Sequence, residues 1–222
     1  MVEKSATRGR FVTFEGGEGV GKSTQVRRLA RILVERGLRV VTTREPGGSE
    51  GGEQVRQLLV RGEPGRWDAI SETLLLLAAR RDHWTRLIDP NLREGAWVIS
   101  DRFTDSTLIY QGIGRGVDRS VLDQLHHITL GKVAPDLTIV LDLPVHQGLG
   151  RTRVRNRGSS IDEDRFERMG LDFHERLRTG FRELAVHEPE RIKTVDATND
   201  ADTVASTVIS IVNARFQREL SS

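Results

Sequence analysis

Short apolar runs with little polar alternation recur along the chain, and each ends in a glycine-rich or polar break. Phe11-Val12-Thr13-Phe14-Glu15 predicts a buried strand that runs into a glycine-rich turn. From Gln25 to Arg36 the pattern is amphipathic at helical spacing, and Gly37 ends it. Leu38–Thr43, rich in β-branched residues, predicts a second strand. Ala69–Arg93 reads as one long helix stopped by Gly95, followed by a third strand over Ala96–Ser100 that closes on Asp101. Leu137–Leu141 and Arg191–Val195 predict two more strands, and a last helix spans Ala201–Glu219. Strands of continuous apolar residues separated by helices imply a parallel sheet covered on both faces. Such sheets bind ligands beyond the carboxyl ends of their strands, so the segments just after each strand are where the chemistry is sought.

Length fits one α/β domain: 222 residues, with 1–9 expected as a flexible N-terminus and 10–220 as a single unit. The absence of Cys excludes disulfide scaffolds, thiolate zinc sites and cysteine nucleophiles. Met1–Arg8 lacks the apolar core of a secretory signal, and the apolar run Leu74–Ala79 is far too short to span a bilayer. With 36% hydrophobic and 30% charged residues, a cytoplasmic protein without membrane contact is expected. The basic residues are 30 Arg and 4 Lys. A pI near 9.4 resembles that of a nucleic-acid binder, but the net charge is only +2. No nucleic-acid partner is expected, because a strong polyanion binder would carry a larger excess.

Gly16-Gly17-Glu18-Gly19-Val20-Gly21-Lys22-Ser23-Thr24 changes the picture, because it fits G-x-x-x-x-G-K-[ST] between a strand and a helix. Glycines let backbone N–H groups converge on phosphate oxygens, and the helix N-terminus adds its positive end. Lys22 is placed to reach the β- and γ-phosphates, and Ser23 to ligate Mg²⁺. Asp101, at the end of an apolar strand, is the candidate second carboxylate for the metal. Arg102 beside it would put a cation near the phosphates.

No guanine-reading N-K-x-D sequence is present, and motor ATPases and helicases are usually longer. A kinase for a small phosphorylated acceptor needs a second anion site and a flap that excludes water. Arg151, Arg153, Arg155 and Arg157 precede Gly158-Ser159-Ser160 and supply a candidate flap over about 151–165. Arg151 and Arg155 lie one helical turn apart on one face.

These segments together resemble the bacterial thymidylate (dTMP) kinase family, within the P-loop nucleoside monophosphate kinases, from about Arg10 to Leu220. The likeness rests on the phosphate loop, Thr43-Arg44-Glu45-Pro46-Gly47-Gly48, Ala78-Ala79-Arg80, Asp101-Arg102-Phe103-Thr104-Asp105-Ser106 with Tyr110-Gln111-Gly112, Pro135-Asp136-Leu137-Thr138, and Asp164-Arg165-Phe166-Glu167. The resemblance implies the three-layer P-loop fold, a five-stranded parallel sheet with helices on both faces. It implies that Glu18 approaches the acceptor sugar, and that Arg44 and Pro46 line the acceptor, with Glu45–Pro46 cis. It gives Arg80 the thymine carbonyl, Arg102 the acceptor phosphate, Thr107 and Tyr110 the base and deoxyribose, and Gln111 and Glu167 further acceptor contacts. Ala197 would lie beside the adenine. Lys22, Arg102, Arg151, Arg153 and Arg155 form the expected catalytic set. One position departs from the family pattern: Leu76 stands where a phenylalanine usually stacks on thymine, and a leucine has no π-face to offer.

The expected reaction is transfer of the γ-phosphoryl group of ATP, with Mg²⁺, to dTMP, giving dTDP for dTTP synthesis. Two readings stand beside it: a kinase for another nucleoside monophosphate such as UMP or CMP, and a P-loop switch that binds ATP without catalysis. The resemblance also implies a homodimer, with the long apolar helix as its face.

Overall fold

A computed structural model describes residues 8–156 and 165–220, less the side chains at 155, 156, 218 and 219. Of the expected N-terminal and flap segments, residues 1–7 and 157–164 therefore lie outside the described residues.

Five strands, β1 (Phe11–Glu15), β2 (Val40–Arg44), β3 (Trp97–Asp101), β4 (Leu137–Asp142) and β5 (Ile192–Asp196), form one parallel sheet in the order β2-β3-β1-β4-β5. This is the expected five-stranded parallel sheet with helices around it. The register sets Phe14 opposite Asp101, Arg44 opposite Asp101 and Glu15 opposite Val140. The carboxyl ends of β1, β2, β3 and β4 therefore lie at one edge of the sheet.

Alternation of side chains along β1 divides the core between two faces. Val12 and Phe14 pack with Leu29 and Leu33 of α1 (Lys22–Glu35) and with Val208 and Val212 of α9 (Ala201–Arg215). Phe11, with Val98 of β3, faces the other way, onto Trp84, Ile88 and Phe103. Val140 and Ile192 on that same side meet Phe173, Leu177 and Phe181 of α8 (Leu171–His187). Leu33, Leu177 and Phe11 are completely buried, each worth about 1.5–3 kcal/mol relative to exposure.

Several boundaries differ from the sequence pattern, for physical reasons. The first helix begins at Lys22 rather than Gln25, because Gly21 at its N-cap takes φ 98° and turns the phosphate loop straight into the helix. The segment Ala69–Arg93 is not one helix. It is α3 (Ala69–His83), a π-turn over Trp84–Ile88, and α4 (Asp89–Arg93). Pro90, near the start of α4, has no N–H to give, and the ladder widens just before it. The last helix stops at Arg215 and resumes as α10 (Gln217–Leu220). At the break Phe216 turns its ring into the core, edge-on to Trp97 at 5.0 Å.

The remaining helices are α2 (Glu50–Val60), α5 (Thr104–Thr107) with a π-turn over Leu108–Gly114, α6 (Arg119–Leu130) and α7 (Val145–Asn156), the last including positions 151, 153 and 155 of the expected flap arginines. No described helix is long and apolar enough to cross a membrane.

Candidate active site

The phosphate loop leaves β1 at Glu15 and enters α1 at Lys22. Gly19, at φ 68°, packs against the backbone of Gly148 in α7, where an added Cβ would collide with the Gly148 carbonyl. Lys22 lays its ammonium along the loop, donating to Gly17 O at 2.7 Å and Gly16 O at 3.2 Å. Burial, then the neighbouring Arg102 charge, lower its pKa to about 8. Ser23 Oγ donates to Asp101 Oδ2 at 2.6 Å. The hydroxyl and carboxylate expected to serve one metal thus lie together, between the start of α1 and the end of β3.

Arg102 follows Asp101 with φ 72°, a left-handed backbone that non-glycine residues rarely adopt. Glu15, buried at the end of β1, holds this turn: its carboxylate accepts from Phe103 N at 2.8 Å, Ser106 N at 3.2 Å and Ser106 Oγ at 2.6 Å. Burial, with Asp105 nearby, raises the Glu15 pKa to about 7. The turn aims the Arg102 guanidinium at the phosphate loop. It donates to Gly16 O at 3.1 Å, Glu18 Oε1 at 2.8 Å, Tyr110 Oη at 2.9 Å and Ser106 Oγ at 3.1 Å, and lies 4.8 Å from the Tyr110 ring centre. Tyr110 Oη in turn donates to Glu18 Oε1 at 2.7 Å, closing a triangle. Burial would raise the Glu18 carboxyl, but Arg102 and Lys22 outweigh it and hold its pKa near 2. Arg102, against the same burial, is held cationic by Tyr110 and Glu18, and burial pushes the Tyr110 hydroxyl well above its usual range.

Further along the cleft, Arg80 projects from α3 and is 3% exposed. It donates to Glu45 Oε2 at 2.6 Å, Thr107 Oγ1 at 2.7 Å and Phe103 O at 3.0 Å. Glu45 also meets His83 Nδ1 at 3.1 Å. A helical arginine that would ordinarily be solvated is here fixed on three sides. The Glu45–Pro46 peptide is cis, as expected, and Arg44 pairs with Glu53 at 3.1 Å. Gln111 is buried and donates to Glu72 at 2.9 Å.

A cavity of about 890 Å³ joins these groups. The predicted residues Glu18 to Thr24, Arg44, Pro46, Leu76, Arg80, Asp101, Arg102, Thr107, Tyr110, Gln111, Arg151, Glu167 and Ala197 all line it. Gly16 and Gly17 do not; they line a smaller cavity behind the loop and contribute carbonyls to Lys22 and Arg102. Arg153 is exposed on α7 and does not reach the cavity. The Arg155 side chain and Arg157 lie outside the described residues.

Sequence reasoning missed Glu15, Glu45, Glu72, Arg56 and Ser106, although Glu45, Arg56 and Ser106 line the cavity. For Glu15 and Glu45 a signal existed: a charged residue at or just past the carboxyl end of a strand. Glu72 and Arg56 carried no such signal. They stand among many charged residues on helices, and only the packing tells them apart.

Comparisons with known proteins agree with this geometry. The thymidylate kinase family profile matches residues 14–208. The chain is 48% identical to the thymidylate kinase of Afipia carboxidovorans over 213 residues, covering 96% of this chain and 92% of that one. It is also 48% identical to the thymidylate kinase of Caulobacter vibrioides over 210 residues, 95% of this chain and 99% of that one. Its structure is similar to the crystal structure of thymidylate kinase from Ehrlichia chaffeensis, with TM-score 0.73 and 35% identity, covering 92% and 99% of the two chains. With a phosphate loop, a second cationic pocket and full-length likeness in agreement, the chain belongs to the thymidylate kinase family.

Proposed function

We infer that the chain transfers the γ-phosphoryl group of ATP to dTMP, giving dTDP and ADP. One observation carries this reading beyond nucleotide binding: the phosphate loop and the Arg80–Tyr110 pocket open into the same cavity, with Arg102 between them. A switch that only held ATP would have no use for the second pocket.

The reaction breaks the bond between the γ-phosphorus and the β–γ bridging oxygen, and forms one from that phosphorus to a dTMP phosphate oxygen. The acceptor monoester is mostly a dianion at neutral pH, its second pKa being about 6, so no general base is needed. The difficulty is repulsion between two polyanions, and the residues answer it with positive charge. Lys22 is assigned to the ATP phosphates and Arg102 to the acceptor phosphate, with Arg151, which lines the cavity, and Arg155 for the transferring group. Glu18, ionised between Arg102 and Tyr110, is the group for the acceptor sugar, and the Tyr110 ring would exclude a ribose 2′-hydroxyl. Arg80 and Gln111 face the base, Leu76 covers it, and Arg44, Pro46, Thr107 and Glu167 complete the acceptor wall. Ala197 is assigned to the adenine side.

Mg²⁺ belongs to the same proposal. Ser23 Oγ and Asp101 Oδ2, 2.6 Å apart beside the cradle, are the hard oxygen donors that ion takes alongside water and phosphate oxygens. When bound it would supply charge neutralisation at the β- and γ-phosphates. A homodimer through the outer face of α3, and a cytoplasmic location, are parts of this proposal too.

Coupled ADP release with ATP and Mg²⁺ tests it against dTMP, dUMP, UMP, CMP and thymidine. The expected order has dTMP fastest and thymidine inert. Faster turnover of any other acceptor refutes the specificity, and no acceptor-dependent release refutes the kinase.

A further inference from the structure

At the base end of the cavity α3 carries a buried carboxylate to which the mechanism above gives no task. Glu72 and Arg165 are both 0% exposed, and Arg165 donates to Glu72 Oε2 from Nη2. Arg165 is itself fixed to the end of α2, donating from Nη1 to Leu59 O at 2.7 Å. On the other oxygen of Glu72, Gln111 Nε2 donates at 2.9 Å and Arg115 Nε lies at 3.8 Å. A charge pair this deep is costly to desolvate, and apolar residues of similar volume often serve stability as well or better. Its presence calls for a task that apolar residues cannot perform.

The task follows from hydrogen-bond inventory. A carboxylate between two guanidinium groups has only lone pairs to offer. The amide beside it must present its NH₂, because the reverse orientation would set two buried acceptors against each other. Gln111 is therefore held one way round, with Oε1 the atom left for the cavity that it lines.

We propose that Glu72, clamped by Arg165, is a positioning residue for base selection: it fixes Gln111 as an acceptor, so that the site takes pyrimidines carrying N3–H and refuses cytosine, whose N3 is itself an acceptor. The proposal rests on the reading above that Gln111 faces the acceptor base. Arg80 matches it, being a donor only. Thymine and uracil offer a carbonyl at position 4, whereas cytosine offers an amine, so both contacts along that edge fail together for cytosine.

The test is steady-state kinetics of the full chain with dTMP, dUMP and dCMP, and calorimetric binding for any acceptor too slow to turn over. Glu72→Gln can either donate or accept, and so releases Gln111. The expected result is a rise of about tenfold in KM for dTMP and dUMP alike, no rise for dCMP, and an unchanged KM for ATP. An equal rise for all three nucleotides would mark a merely structural role and overturn the proposal, as would no change. Because Glu72→Gln strands the Arg165 charge, a Glu72→Gln/Arg165→Met variant removes both charges, and a thermal melt reports its fold. Discrimination against dCMP that returns with the fold also overturns the proposal; its continued loss in a folded variant supports it. Gln111→Ala separates the two layers. If it leaves the KM for dTMP unchanged, the reading of Gln111 fails and takes this proposal with it. If it raises that KM while Glu72→Gln preserves discrimination, only the positioning role fails.

Discussion

Lys22 shows how a single residue is tuned by what surrounds it. It is 7% exposed and shares its surroundings with Arg102, and together burial and that charge bring its pKa from 10.5 to about 8. The folded state thus favours the neutral amine more than water does. Between about pH 8 and 10.5 the unfolded chain binds more protons at this residue, so its contribution to folding stability rises with pH there. Function runs the other way, because the ammonium is the form that meets phosphate. The free enzyme should lose kcat/KM for ATP as pH rises through about 8, approaching tenfold per pH unit. The kcat at saturating ATP should hold to higher pH, since bound phosphates restore the ammonium. Profiles from pH 7 to 9.5 decide it, and a flat kcat/KM over that range would mean that Lys22 stays charged in the free enzyme. Lys22 and Ser23 were legible in the sequence because the spacing of the glycine-rich loop alone singles them out. The Arg102–Glu18–Tyr110 triangle was not, although each member was singled out. Its bonds join residues 84 and 92 positions apart, and only the register of β3 against β1 closes them.

At the scale of elements, legibility followed burial. Strands β1, β3 and β4, buried along nearly their whole length, read as apolar runs; the edge strands β2 and β5, only partly buried, read through their β-branched residues, and the alternation of the five with helices implied the parallel sheet. Helices α2, α6 and α8 were not singled out in the sequence, and in two of them glycines stand within the helix. Gly51 and Gly52 open α2, and Gly180 interrupts α8 to admit the side chain of Ile113. A glycine inside a helix reads as a poor helix former, and its reason lies in what it touches. Gly148 in α7 is the informative case. A Cβ there would strike the Glu18 carbonyl, just as one at Gly19 would strike Gly148. The phosphate loop and the helix carrying Arg151 therefore meet backbone to backbone, with no side chain to yield. Gly148→Ala forces one of the two backbones to shift, and with the loop the one displaced it should raise the KM for ATP about tenfold, with a smaller change for dTMP and a cooperative melt retained. Unaltered ATP kinetics would show that α7 retreats instead, and that the loop does not depend on it.

The whole molecule is arranged so that one helix serves two surfaces. The inward stripe of α3 carries Glu72, Leu76, Arg80 and His83, all buried, with Leu76 and Arg80 lining the cavity. Its outward stripe carries Ile70 and Leu74, 44% and 49% exposed, and continues through Ala78 to Arg81. Beside it runs α6, with Leu125 across the groove from Leu74 and Ile128 76% exposed. Apolar positions four apart on α3 (Ile70, Leu74, Ala78) and three apart on α6 (Leu125, Ile128) make a continuous face, the kind that a second copy of the chain would cover. Pairing there would press α3 from outside and steady Arg80 and Leu76 against the base. Leu74→Glu places a charge at the centre of that face without touching the cavity. The expected outcome is a monomer by light scattering, with the KM for dTMP raised several-fold more than the KM for ATP, because the phosphate loop hangs from β1 rather than from α3. An unchanged mass would remove this face from the assembly. A clean monomer with wild-type dTMP kinetics would leave the pairing but sever it from base recognition, and α3 would then hold Arg80 through Glu45, Thr107 and Phe103 alone.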